Sequence, residues 1–280
     1  MKIVTTIKEL KQIIKNDKKE NRTIGFVPTM GYLHEGHLSL MKKAREENDL
    51  LVVSIFVNPL QFGENEDFDS YPRNLERDTM LTKEEGADYL FAPSAEEMYP
   101  QEPSISMKAV KRTDVLCGKS RPGHFDGVAA VLTKLFHLVQ PDRAYFGMKD
   151  AQQVAVISGL IEDFHFPVEL VPVETVREPD GLAKSSRNVY LLKEEREQAP
   201  ELYKALNEGA GLLASGHSPE HAADFVKKRI EDRTTGEIDY VEVYSYPDLQ
   251  PLQETKGTII LAAAVKFSKA RLIDNITLQL

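Results

Sequence analysis

Residues 22–48 read RTIGFVPTMGYLHEGHLSLMKKAREEN, and the change of period inside that stretch decides the fold. RTIGFVPT is a short β-rich run broken by Pro28, whereas HLSLMKKAREEN spaces its apolar residues as a helix does. Outward from it the same alternation repeats. TIKELKQIIKND (6–17) is an opening helix, and DLLVVSIFVNP (49–59) is a nearly continuous apolar run ended by Pro59, as in a strand buried on both faces. A polar loop, LQFGENEDFDSYPR (60–73), leads to the helix NLERDTMLTKEEGA (74–87) and the strand ADYLFAP (87–93). FDGVAAVLTKLFHLVQ (125–140), DRAYFG (142–147), AQQVAVISGLIEDF (151–164) and VELVPVET (168–175) continue as helix, strand, helix and strand. Repeated strand–helix alternation gives an α/β fold, a Rossmann-like doubly wound parallel sheet covered by helices.

Beyond residue 175 the pattern changes. LLKEEREQAPELYKALNEGAGLLAS (191–215) and PEHAADFVKKRIEDR (219–233) read as amphipathic helices. DYVEVYSY, TIILAAAVKF and ARLIDNITLQL follow as strands with hairpin-type breaks. The expected division is therefore a catalytic domain over 1–175 and a smaller α+β C-terminal domain over 176–280 that closes over the site. REPDGLAKSSRN (177–188) lies near the boundary, where ligand clefts are common.

Composition narrows the function classes. The chain has 280 residues, 41% hydrophobic and 28% charged, which is ordinary for a globular protein with a sizeable core. No apolar run reaches the length of a membrane span, and the N-terminus lacks a secretory signal, so the expected location is cytoplasmic with no membrane partner. Cys117 is the single cysteine, so no internal disulfide forms, and a reducing compartment is expected. A net charge of −9 argues against a general nucleic-acid binder.

In open parallel sheets, ligands bind beyond the carboxyl ends of the strands, near the point where the strand order reverses. The motifs fall there. PTMGYLHEGH follows the first strand, NPLQFG the second, GMKDAQQ follows DRAYFG, and REPDGLAKSSRN follows VELVPVET. In HEGH, His34 and His37 share one face of a helix start, whose unpaired N–H groups and dipole attract phosphate. Gly31 and Gly36 let a ligand approach the backbone. The same residues also fit plain capping histidines. The spacing does not match the zincin HExxH helix, and no third metal ligand is evident. In LAKSSRN (182–188), Lys184, two hydroxyls and Arg187 suit a polyphosphate, or equally a solvated turn.

The order of the two motifs along the chain resembles the HIGH and KMSKS elements of the nucleotidyltransferase superfamily, whose members attack the α-phosphate of ATP. FVPTMGYLHEGHLSL, SIFVNPLQFG, CGKSRPGHFDGV, FGMKDAQQ and LAKSSRN together resemble the pantoate–β-alanine ligase family. The resemblance implies an ATP-dependent acid–amine ligase of pantothenate biosynthesis, on the way to coenzyme A. Pantoate is adenylated with release of pyrophosphate; β-alanine then displaces AMP. Positioned donors are what a transition state with charge on phosphate oxygens needs.

By the same resemblance, Met30, Gly31, Tyr32, Leu33, His34, Glu35, Gly36 and His37 line the ATP site. His37 is the family's proton donor, although charge stabilisation alone fits its chemistry equally. Gly147, Met148, Lys149 and Asp150 form a second ATP-binding stretch, and Val176 meets adenine through its backbone. Lys184, Ser185, Ser186 and Arg187 close over the phosphates, while Gln61 and Gln153 hold pantoate and β-alanine. Read without the resemblance, GMKD is a turn with Asp150 as helix N-cap. Mg²⁺ is expected with ATP, bound mostly by phosphate and water, with acidic residues of GENEDFDSYPR or Asp78 assisting; no protein ligand is assigned. No tightly bound organic cofactor is expected, and a homodimer is the family's usual assembly. The competing reading is a nucleotidyltransferase that leaves its nucleotide on a phosphorylated acceptor. Arg121 and Asn58 fit either substrate contacts or structure, while Asp126 suits an N-cap, His124 a structural role and His137 a packed position. His165, His217, His221 and Cys117 carry no pattern that suggests chemistry.

Overall fold

The computed structural model describes residues 1–63, 66 and 68–280. Among them, β1 (Lys2–Val4), β2 (Ile24–Thr29), β3 (Leu50–Ile55), β4 (Tyr89–Phe91), β5 (Arg143–Gly147) and β6 (Glu169–Val173) form one sheet. All neighbours are parallel, in the order β1-β4-β3-β2-β5-β6. The helices of this part of the chain are α1 (Ile7–Lys19), α2 (Glu35–Glu47), α3 (Leu75–Glu84), α4 (Ala95–Met98), α5 (Leu116–Ser120), α6 (His124–Val139) and α7 (Ala151–Phe164). Ile24, Phe26, Val27, Leu51, Val52 and Val53 are buried, which is why β2 and β3 lack polar alternation. Each such side chain contributes about 1.5–3 kcal/mol of burial energy.

Pro28 does not end β2, contrary to the break read from sequence. The β2–β5 pairing registers only at Gly25 and Phe26, so the missing Pro28 N–H falls beyond that ladder while Pro28 still sits opposite Ser54 of β3. The strand order reverses between β2 and β5. Their carboxyl ends carry Met30–Leu33 and Gly147–Met148, respectively.

The C-terminal part contains α8 (Lys193–Gln198), α9 (Glu201–Ala214), α10 (Pro219–Arg233) and an antiparallel sheet of β7 (Glu237–Ser245), β8 (Thr258–Lys266) and β9 (Arg271–Gln279). β8 is central, and its buried Ile259, Leu261, Ala263 and Val265 pack with Leu206, Leu213, Val226 and Ile230 of α9 and α10. By contact the chain divides into two units. One holds Met1–Val110, Arg121–Met148 and Val156–Glu174; the other holds Lys111–Ser120, Lys149–Ala155 and Thr175–Leu280.

Several local expectations change. β1 is an additional edge strand, three residues long and too short for a period to reveal it. The helix read over 191–215 is two, because Ala199–Pro200 separate α8 from α9. Helix α6 starts at His124 behind Gly123, whose φ of 79° is left-handed, so Asp126 lies in the first turn, where its carboxylate accepts from the Ala109 N–H (2.8 Å). His137 is exposed rather than packed and meets Phe166 edge-on.

Candidate active site

The loop from β2 to α2 is built around a buried carboxylate. Asp78, in the first turn of α3, accepts from the Tyr32 N–H at 2.7 Å and the Leu33 N–H at 2.8 Å. Those bonds hold two consecutive left-handed residues, Gly31 at φ 86° and Tyr32 at φ 51°. A Cβ on Gly31 would stand 3.0 Å from both Asp78 Oδ2 and the Ile55 side chain, so glycine is required on two counts. The neighbouring Arg77 donates to the Leu33 carbonyl at 2.7 Å and lies over the Tyr32 ring.

The two histidines make a capping box out of imidazoles. His34 Nδ1 accepts from the Gly36 N–H (3.2 Å), and His37 Nδ1 accepts from the His34 N–H (3.3 Å). The rings lie 4.1 Å apart. Because each Nδ1 is an acceptor, the proton of each neutral ring sits on Nε2. The capping alternative read from sequence and the phosphate-donor reading thus use different nitrogens of the same rings.

Gln61 is buried at the end of a 3₁₀ turn, Pro59–Gln61, capped by Asn58. The Asn58 amide is fully used: Oδ1 accepts from the Leu60 N–H (3.3 Å) and Tyr99 OH (2.9 Å), while Nδ2 donates to the Gly127 carbonyl (3.0 Å) and Gln61 Oε1 (3.2 Å). Burial pushes the Tyr99 phenol up to about 12, which keeps it a donor. Gln61 Nε2 in turn donates to Met30 Sδ at 3.2 Å, which joins an expected pantoate residue to an expected ATP residue. Asn58 thereby ties the Gln61 amide to Tyr99 and to the first turn of α6. Arg121 pairs with Glu66 and His124, and His124 Nδ1 lies 2.8 Å from the Gln61 carbonyl.

In the C-terminal unit, the segment after β6 is folded back on itself. Arg177 bridges Ala183, and the Lys184 N–H donates to the Val176 carbonyl at 2.9 Å. Ser185 caps the 3₁₀ turn Ser186–Tyr190 by accepting from the Arg187 N–H (3.3 Å), and Ser186 is buried. Lys184 Nζ pairs with Glu178 at 2.8 Å. Arg177 anchors the turn, donating to the Gly181 carbonyl (3.1 Å) and to both oxygens of Asp274 (2.5 and 2.9 Å) and stacking on Tyr203. Burial pushes the Asp274 carboxyl up, and the Arg177 fork opposes that shift.

Lys149 Nζ pairs with Asp150 at 3.1 Å, and Asn275 of β9 donates to the Lys149 carbonyl at 2.9 Å. Asp150 closes a 3₁₀ turn, Met148–Asp150, that runs straight into α7. Of the two adjacent glutamines, Gln152 is buried and donates to the Arg112 and Val115 carbonyls, whereas Gln153 is half-buried.

Sequence reading did not single out Tyr99, Arg177, Asp274 or Asn275, and it gave Asp78 a different role. Their partners lie tens of residues away, and only the fold brings them together. Asp78 already spends both oxygens on backbone N–H groups and is 1% exposed. Among the described residues no group of three or more His, Cys, Asp or Glu is arranged to hold a metal. Glu64, Asn65 and Asp67 of the acidic loop considered for Mg²⁺ lie outside the described residues. Likewise, no described helix is long and apolar enough to cross a membrane.

A doubly wound parallel sheet with an HxGH helix start at its switch point defines a nucleotidyltransferase of the HIGH-motif superfamily. The family described as Pantoate-beta-alanine ligase matches residues 2–277. A pantothenate synthetase of Geobacillus sp. (strain WCH70) is 62% identical over 281 aligned positions that cover all of both chains. The crystal structure of pantothenate synthetase from Thermus thermophilus superposes with a TM-score of 0.93 at 46% identity, covering 99% of each chain. That of the pantoate-beta-alanine ligase from Francisella tularensis, complexed with beta-gamma ATP and beta-alanine, superposes with a TM-score of 0.80 at 35% identity, covering 99% of this chain and 97% of that one. The chain belongs to the pantoate–β-alanine ligase family.

Proposed function

We propose that the chain joins pantoate to β-alanine with consumption of ATP, through a pantoyl adenylate. The observation that carries this reading is the imidazole capping box at the sheet's switch point, which leaves both rings protonated at Nε2 in the neutral state. A carboxylate oxygen of pantoate attacks the α-phosphorus of ATP, the bond to the β-phosphate breaks, and pyrophosphate leaves with the electron pair. The neutral amine of β-alanine then attacks the activated carbonyl, the bond from that carbon to the phosphate oxygen breaks, and AMP leaves. The amine proton passes to solvent.

His34 and His37 stabilise the developing phosphate charge by donating from Nε2. His37 needs to give up no proton, because a donor already aimed at the charge lowers the barrier without transfer. Met30–Gly36 supply the remaining contacts of that loop to ATP. Gly147, Met148, Lys149 and Asp150 serve the same nucleotide, with Lys149 on phosphate and Asp150 on ribose hydroxyls. Val176 meets adenine, and Lys184, Ser185, Ser186 and Arg187 bind the polyphosphate. Gln61 spends one N–H on Met30 and one lone pair on Asn58. The second N–H and lone pair of such an amide suit a carboxylate and a hydroxyl without neutralising the nucleophile. Gln153 completes the substrate contacts. Mg²⁺ enters with ATP on phosphate and water, and the enzyme works as a cytoplasmic homodimer.

The test is product analysis with ATP and pantoate, with and without β-alanine. Pyrophosphate release is expected to require pantoate, and free AMP to require β-alanine as well. AMP appearing equally without amine, or a nucleotide retained in the product, would overturn the reading.

A further inference from the structure

Glu66, Arg121 and His124 form a continuous chain that ends on the main-chain carbonyl of Gln61, whereas Asn58 and Met30 meet its amide. Arg121 donates from Nε and Nη2 to the two oxygens of Glu66, at 2.8 and 2.5 Å. Its Nη1 lies 3.1 Å from His124 Nε2, and the other ring nitrogen, Nδ1, lies 2.8 Å from the Gln61 carbonyl oxygen. A carbonyl only accepts and a guanidinium only donates, so the pattern assigns the proton of His124 to Nδ1 and the lone pair to Nε2. This is the reverse of His34 and His37.

The ring is 9% exposed and sits in the first turn of α6. Three positions later, Gly127 lets the helix press against the same turn. A Cβ there would stand 2.2 Å from the Leu60 carbonyl oxygen and 2.6 Å from the Gln61 nitrogen, distances no side chain tolerates. Asn58 closes the far side through the Gly127 carbonyl and Gln61 Oε1.

We propose that Glu66, Arg121 and His124 are positioning residues that fix the Gln61 main chain, and through it the amide offered to the acid being activated. Arg121 spends Nε and Nη2 on Glu66 and Nη1 on His124, its Nη2 also lies 3.5 Å from the Gln61 carbonyl oxygen, and every polar atom of the Asn58 amide is satisfied. Such fully paired networks hold one geometry. The assignment rests on the ligase reading above. It separates these residues from direct substrate contacts, although an arginine and a histidine beside Gln61 would also suit the carboxylate of β-alanine by charge alone.

Steady-state kinetics on the full chain decide it, with each substrate varied in turn. In His124→Ala the KM for pantoate is expected to rise about tenfold, the effect of losing one buried hydrogen bond at a binding residue. The KM values for ATP and β-alanine are expected to stay within about twofold. His124→Asn places an amide N–H where Nδ1–H stood and is expected to restore most of the pantoate KM; His124→Gln, whose amide reaches the Nε2 position, is not. Glu66→Gln, which leaves His124 in place, is expected to give a smaller rise of the same kind, so the proposal survives a His124 variant that fails to fold.

Equal changes in all three KM values, a change confined to β-alanine, or an Asn variant no better than Ala would each overturn the proposal. Failure of the unaltered enzyme to release pyrophosphate on addition of pantoate would instead overturn the ligase reading, and this assignment with it.

Discussion

The two segments proposed to bind phosphate are held in different ways. The turn before α2 is fixed by main-chain bonds to one buried carboxylate, Asp78, and by ring nitrogens that cap the helix. The segment Arg177–Arg187 is fixed by ion pairs: Arg177 with Asp274, and Lys184 with Glu178. The first arrangement makes its cap with Nδ1, so phosphate arriving at Nε2 breaks no cap bond. In the second, the lysine assigned to phosphate already has a carboxylate partner, so an incoming anion would compete with Glu178 for its charge. In the proposed reading, one segment meets phosphate with its cap bonds intact and the other in competition with a carboxylate.

Breaking the ion-paired anchor should have the largest effect on stability. Arg177→Met removes the fork on Asp274 and leaves a buried carboxylate alone, so the free energy of unfolding is expected to fall by about 3 kcal/mol or more. Denaturant unfolding reads this, and a fall of a few tenths would mean the segment is held otherwise. His37→Ala acts on rate instead. Turnover is expected to fall about 10²- to 10³-fold, as when one charge-stabilising donor is removed, while loss of the cap bond costs only about 1 kcal/mol of stability. Parallel losses of activity and stability would make the histidine a cap and nothing more. Asp78→Asn keeps one acceptor but turns an N–H toward a backbone N–H, with an expected cost of about 2 kcal/mol and a raised KM for ATP.

Glu178→Gln sharpens the contrast in the opposite direction. With its partner neutralised, that competition for the Lys184 charge is removed, and the KM for ATP is expected to fall about two- to fivefold. An increase would show that Glu178 orients the lysine for phosphate. The smallest effect is on pH dependence. Burial opposes ionisation of Glu66, but the Arg121 fork outweighs it and holds the carboxyl below its ordinary value of 4.5. A lowered carboxyl stabilises the fold fully above the unfolded value and loses that contribution as pH falls through the folded one. Thermal melts of the parent and Glu66→Gln are therefore expected to converge only below about pH 4.5.

The parallel sheet, apart from its edge strand β1, was legible because short β-rich runs alternate with helically spaced ones, and β2 with α2 shows both within 22–48. HEGH and LAKSSRN were legible as donor-rich loops after strands. What holds them was not. Asp78 lies about 45 positions from the turn it fixes, and Asp274 lies 97 from Arg177, distances at which no local pattern survives. Nor does a sequence tell Gln152, spent on two carbonyls of its own unit, from Gln153 beside it. His124 shows the same limit: its place in a turn was readable, but its tautomer depends on Arg121 and on a carbonyl 63 residues away.

The claim at the centre of the chemistry is that the pantoate carboxylate attacks the α-phosphorus of ATP. It is tested most directly with pantoate carrying ¹⁸O in both carboxylate oxygens, ATP, β-alanine and the unaltered enzyme, with the AMP product read by mass spectrometry. Attack by the carboxylate followed by displacement at carbon carries one labelled oxygen into the phosphate of each AMP and leaves one in the amide product. Unlabelled AMP, with both labels kept in the product or lost to water, would contradict it.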